Sequence, residues 1–146
     1  KAALAEGIVS GGGTALFKAA ILLQEKWSKA SEKPEERAAY SILLNALEEP
    51  LAQIAANAGR RTGEVTSKLR EKFLDDPRSH AGYDALNDKI VGDMLKLGII
   101  DPVKVARSAL ENAVSVAAMF LTTEAAVAEL PKKEEKAMPQ MPHEDY

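Results

Sequence analysis

Apolar residues recur at helical spacing along most of this chain, and polar or glycine-rich breaks cut the pattern into segments. KAALAE (1–6) reads as the closing turns of a helix, with Gly7 placed to stop it. After EGIVSGGG, Thr14 offers an N-cap, and Leu16, Ala19, Ala20 and Leu23 share one face while Lys18 and Glu25 fall off it. SKASEKP (28–34) is a polar loop. The spacing then predicts a long helix over Glu35 to Ala58, with Ala39, Ile42, Leu43, Ala46, Leu47, Leu51 and Ile54 keeping the 3.6-residue period. Pro50 lies inside that pattern, which predicts a bend near Leu47 rather than two helices.

Gly59 ends the long helix, and Thr62 to Leu74 forms a shorter amphipathic one closed by Asp75-Asp76-Pro77. HAGYDAL (80–86) reads as a turn or short extended stretch, and Ile90 to Leu97 as a helix stopped by Gly98. Asp101-Pro102 has the form of a helix start, with Asp as N-cap and Pro at the first helical position. The following VKVARSALENAVSVAAMFLTT is apolar on nearly every face, which predicts a central, buried helix from Pro102 to about Thr123. EAAVAEL (124–130) could form a strand, and beyond Pro131 the charged, proline-punctuated tail, 132–146, is expected to be disordered. The fold class is therefore mainly all-α, with at most one or two short strands.

A length of 146 residues suits one domain with a real core. Only 5% of residues are aromatic, so alanine and leucine must fill that core and its helices must pack closely. A net charge of −3 with no basic cluster argues against nucleic acid as a partner. The absence of cysteine excludes disulfides and thiolate metal sites. No apolar run approaches the ~20 residues of a membrane span, and the N-terminus lacks a signal-peptide layout. Beginning at Lys1 without a methionine, the chain reads as a piece of something longer.

Candidate chemistry is sparse. Three consecutive glycines, Gly11 to Gly13, are costly in chain entropy unless the backbone needs unusual angles or something must approach closely. They lack the Lys-Ser/Thr of a phosphate-binding P-loop and are not GxGxxG after a strand, so a tight turn between packed helices explains them as they stand. A helix N-terminus after glycines can still receive an anion or a sugar-phosphate edge. Asp101 is accounted for as an N-cap. Asp75, Asp76, Asp84, Asp88 and Asp93 show no paired acid-base spacing, and His80 and His143 have no partner at metal-ligand spacing. Trp27 reads as a packing cap and KKEEK as a solvated linker. No nucleophile-base pair is evident.

The order of four stretches adds more. EGIVSGGGTAL, ALEEPLAQIAANAG, GYDA and GIIDPVKVARSALENAVSVAAMFLTTEAAVAELP together closely resemble the C-terminal part of the equatorial domain of group I chaperonins, the GroEL and mitochondrial heat-shock type. The resemblance runs from Lys1 to about Lys133, with 1–131 as the equatorial segment. It implies a subunit of a homo-oligomeric double ring, usually of fourteen subunits, that encloses non-native proteins and cycles on ATP with magnesium. By position, Gly12 matches a family residue lying against the nucleotide, Asp84, Ala85 and Leu86 fall at the adenine-side turn, and Asp101 matches a ribose-hydroxyl acceptor. The same resemblance implies a bacterial cytoplasmic location, with mitochondria or plastids as alternatives.

Departures from the family pattern are equally definite. Leu86 stands where a small residue is frequent, and Gly82 to Gly98 is one residue longer than in the best-known members. The tail is AMPQMPHEDY instead of Gly-Gly-Met repeats. The phosphate loop, the intermediate domain and the apical domain that takes substrate and co-chaperonin are absent from this sequence. The catalytic aspartate is expected just upstream of Lys1, so no catalytic residue and no metal ligand is assigned within the chain. Three readings follow: a segment of an ATP-driven foldase, inactive alone; a free-standing helical interaction module of the same fold without nucleotide; or a small phosphate-binding protein using the glycine turn.

Overall fold

In a computed structural model, residues 1–27 and 33–128 are described. Five helices and four three-residue strands follow in the order α1 (Ala2–Glu6), β1 (Ile8–Ser10), α2 (Thr14–Trp27), α3 (Pro34–Asn57), α4 (Thr62–Asp75), β2 (Gly82–Asp84), β3 (Lys89–Val91), β4 (Ile100–Pro102) and α5 (Val103–Leu121). The mainly helical class stands, with more strand than the one or two short pieces expected. Most of the loop at 28–34, the end of the 124–130 stretch, His143 and the whole tail lie outside the described residues.

The core forms where α2, α3 and α4 meet the β2 segment. Phe17 and Ile21 of α2 pack with Leu51 and Ala55 of α3, Val65, Leu69 and Phe73 of α4, and Ala81 and Tyr83. Phe17 and Phe73 are the largest fully buried side chains, their rings 6.4 Å apart between centroids and tilted. Trp27 stacks on Tyr40 at 4.5 Å, closing the far end of the α2–α3 pair. The helix α3 runs unbroken through Pro50, as the apolar stripe requires.

The two antiparallel strand pairs are small and serve as splices. β1 pairs with β4, setting Val9 opposite Asp101 and Ser10 opposite Ile100. β2 and β3 form a hairpin with Tyr83 opposite Ile90 and Asp84 opposite Lys89.

Five expectations are corrected by this arrangement. Ile90 to Leu97 is not a helix: the β-branched pair Ile90-Val91 joins the hairpin, and a turn follows in which the Lys96 amide donates to Asp93 Oδ1 at 3.2 Å. Asp101 is not an N-cap. It pairs with Val9 in β4, Pro102 with its extended ψ of 131° is the residue that precedes the helix, and α5 starts at Val103 without a side-chain cap. Thr14 is the first helical residue of α2 instead of its cap, and its hydroxyl has no hydrogen-bond partner among the described residues.

The fourth correction concerns α5. It contains no buried residue and packs chiefly on α1 and β4, fastened by the Arg107 guanidinium, which donates to both Glu6 oxygens at 2.6 and 3.1 Å. Met119, Phe120 and Leu121 are exposed, because α2, α3 and α4 bury their stripes against one another and leave α5 outside. The described part of the 124–130 stretch is not strand either; Val127 is fully exposed, with no strand edge beside it.

Candidate functional site

The glycine turn is where the elements converge. Gly11 donates its amide to the Ile99 carbonyl at 2.9 Å, extending the β1–β4 splice. A Cβ on Gly11 would lie 3.0 Å from the Ile100 backbone, and one on Gly13 would lie 2.6 Å from the Leu51 nitrogen. Close packing thus accounts for the first and third glycines. Gly12 is different. It needs glycine for its left-handed φ of 65°, but a Cβ there would meet only Met94 Cε at 3.6 Å and the Tyr83 carbonyl oxygen at 3.8 Å.

Those neighbours connect the turn to the β2–β3 hairpin. Met94 is fully buried, its amide donates to the His80 carbonyl at 2.8 Å, and its carbonyl accepts the Ile99 amide at 3.0 Å. It therefore ties the segment before β2 to the segment before β4. A Cβ on Gly82 would lie 2.4 Å from Met94 Cγ and 2.9 Å from Thr14 Oγ1, so Gly82 lets the hairpin close onto the start of α2.

Of the expected site residues, Gly12 and the backbone of the segment leading into Asp84 come together directly. Asp101 is connected to them through the splice, since its neighbours Ile99 and Ile100 flank Gly11. Asp84 is nearly buried and fully occupied: Oδ1 accepts the amides of Leu86 and Asn87 at 3.1 Å each, and Oδ2 accepts Asn87 Nδ2 at 2.7 Å. The Asn87 side chain and then its backbone amide hold this carboxyl below the usual carboxylate range, with the Leu86 amide adding to them against burial. Its visible work is to build the turn. Ala85 and Leu86 stand out from that turn into solvent, Leu86 at 92% exposure.

Met94, Gly82 and Tyr83 escaped the sequence reading. Gly82 and Tyr83 lay inside the GYDA stretch, but Met94 fell in a segment read as helix, where a methionine signals only core packing. A concavity of about 510 Å³ lies elsewhere, along α2 and α3 beside Trp27, Tyr40 and Arg70. None of Gly12, Asp84, Ala85, Leu86 or Asp101 lines it.

A helical domain spliced by two short strand pairs around a triple-glycine turn thus defines the class. Residues 1–131 match the family described as TCP-1/cpn60 chaperonin, and the chain belongs to that family. Among solved structures, it is similar to the open-state monomer of a group II chaperonin from Methanococcoides burtonii, with a TM-score of 0.72 and 27% identity over 80% of this chain. The match spans 28% of that chain's length.

Proposed function

We propose that the chain is the C-terminal segment of the equatorial domain of an ATP-driven chaperonin subunit, contributing ring contacts and the base and ribose side of the nucleotide pocket. The observation that carries this reading is Gly12. Packing accounts for its two neighbours, whereas Gly12 faces the hairpin in the left-handed region, and a Cβ there would make only ordinary contact with Met94 and the Tyr83 carbonyl. Gly12 and the Asp84–Leu86 turn would flank the base, and Asp101 would accept hydrogen bonds from the ribose hydroxyls. By resemblance to the family, magnesium and the phosphates are assigned to parts of the subunit outside this segment. Bound ATP supplies the phosphoryl chemistry. The segment's own contribution is to seat and orient the base and sugar, so alone it would not turn ATP over.

The group I motifs GIIDPVKVARSAL and LTTEAAVAELP support a bacterial, cytoplasmic member working as a double ring of fourteen subunits with a co-chaperonin and unfolded proteins as partners. A group II assembly is the alternative raised by the structural relative, and the mass of the native assembly distinguishes them. The second functional reading, a free-standing interaction module, draws on the apolar exposed surface of α5.

The test is ATP titration of the intact subunit carrying Gly12→Ala, with Gly59→Ala as control. Both positions have a left-handed φ, 65° and 77°, and a Cβ at Gly59 would meet nothing within 4 Å. Gly12→Ala is expected to weaken ATP binding on the order of tenfold, about 1.4 kcal/mol, and Gly59→Ala to leave it unchanged. Equal affinities in the two variants would remove Gly12 from the pocket.

A further inference from the structure

The β2–β3 hairpin has a second anchor that the nucleotide reading does not use. Strand pairing ends at Asp84 opposite Lys89, so residues 85–88 form the tip. Asp84 fixes the near end of this tip through its bonds to Leu86 and Asn87. Ala85 and Leu86 project into solvent, so burial cannot hold their backbone in place.

Asp88 fixes the far end. It is the sole non-glycine residue with a left-handed φ, 51°, among the described residues, and aspartate tolerates that conformation better than most side chains. Two groups from different parts of the fold grip its carboxylate. Arg60 donates through both Nε and Nη2, a bidentate contact, and the Tyr83 hydroxyl donates to Oδ1 at 2.9 Å. Arg60 comes from the turn between α3 and α4, where its amide donates to the Ala55 carbonyl at 2.9 Å. The Tyr83 ring belongs to the core, at 3% exposure. The clasp thus ties the hairpin tip to both the α3–α4 turn and the core. Its ionic pair is nearly half exposed, with side chains at 46% and 42%, so it adds little to global stability. Its effect falls on the tip.

We propose that Asp88, held by Arg60 and Tyr83, is a positioning residue that fixes the 84–87 turn and thereby sets how well the base side of the pocket receives a purine nucleotide. This inference rests on the nucleotide reading above. A turn held only by its own hydrogen bonds samples open conformers, and ligand affinity falls by the fraction of time the competent one is lost.

The experiment compares wild type, Arg60→Ala, Arg60→Lys and Asp88→Asn in the intact subunit. Hydrogen exchange of a peptide covering residues 84–88 reads the turn, ATP titration reads the pocket, and thermal melting reads the fold. Arg60→Ala is expected to speed exchange and weaken ATP binding together, each on the order of tenfold, at a near-constant melting temperature. Arg60→Lys, which keeps charge but loses the planar fork, should fall between, as should Asp88→Asn. Unchanged exchange in Arg60→Ala overturns the clasp. Faster exchange with unchanged ATP affinity overturns the positioning role while leaving the pocket to be judged by Gly12→Ala. Wild-type subunit that binds no ATP overturns the pocket, and the positioning role with it.

Discussion

The α-carbon hydrogen of Gly13 that a side chain would replace points at the backbone of α3: a Cβ there would lie 2.6 Å from the Leu51 nitrogen and 2.9 Å from the Pro50 carbonyl carbon. Pro50 and the glycine turn therefore share one contact. The α2 start approaches α3 at the point where proline has removed a backbone donor from the helix.

Gly13→Ala should accordingly be among the most damaging single changes in the chain. Overpacking against backbone costs roughly 1–3 kcal/mol, and the left-handed φ of 74° adds about 1–2 kcal/mol for any residue with a Cβ. Gly63→Ala is the contrasting control. Gly63 lies in α4, where an alanine methyl would meet nothing within 4 Å, so that substitution should stabilise by about 0.5–1 kcal/mol through helix propensity. Denaturant unfolding of the two variants, shifting in opposite directions, is the expected result; equal shifts would contradict this packing of α2 on α3.

The α5 surface leads to the opposite expectation from the one its sequence suggests. Ala113 and Ala117 lie on exposed turns, so enlarging either to leucine should change the stability of this chain by less than about 0.5 kcal/mol. A central helix would lose roughly 1–3 kcal/mol to overpacking. Melting of Ala113→Leu and Ala117→Leu separates the two cases.

Asp84 makes the turn sensitive to acid. Its pKa is lowered in the folded chain, chiefly by the bonds from Asn87, so its stabilising contribution is present above the unfolded value of about 3.9. That contribution is lost as pH falls through the lowered folded value. Asp84→Asn removes the titration but keeps an acceptor for the Leu86 and Asn87 amides. The stability difference between wild type and variant should hold steady from about pH 7 to 5 and shrink below about pH 4. A difference that grows toward low pH would contradict the direction of the shift.

Much of this fold was legible because periodicity reports which face a helix must bury. The stripe through Leu47, Leu51 and Ile54 gave α3 its length despite Pro50, and Gly7 and Gly59 marked helix ends correctly. Periodicity says nothing about whether the covering surface lies within the same chain. The α5 segment reads as buried on every side, yet among the described residues it packs chiefly on α1 and β4. Short strands failed for another reason: Ile90-Val91 and Ile100-Asp101-Pro102 belong to three-residue pieces, and a local pattern cannot show what such a piece will pair with. The candidate site was legible only through the order of four stretches. Met94, which joins the glycine turn to the hairpin, carries no chemical signature of its own.

Asp101 brings these threads to one position. As a helix cap it would contribute about 1 kcal/mol, but its place in β4 opposite Val9 removes that role, since α5 begins at Val103 with no side-chain cap. Its backbone serves the splice with β1, and any residue compatible with a strand before proline can supply that. Both Asp101→Asn and Asp101→Ala should therefore leave thermal stability within about 0.5 kcal/mol of wild type. In the intact subunit the role proposed for the side chain is ribose binding, where a carboxylate accepts from hydroxyl donors more strongly than a neutral amide does. Asp101→Asn should weaken ATP binding and Asp101→Ala should weaken it further, at nearly constant melting temperature. A loss of stability in Asp101→Ala that Asp101→Asn does not share would restore the capping role, because asparagine caps a helix about as well as aspartate. Intact ATP affinity in Asp101→Ala would leave the aspartate without a function in the pocket.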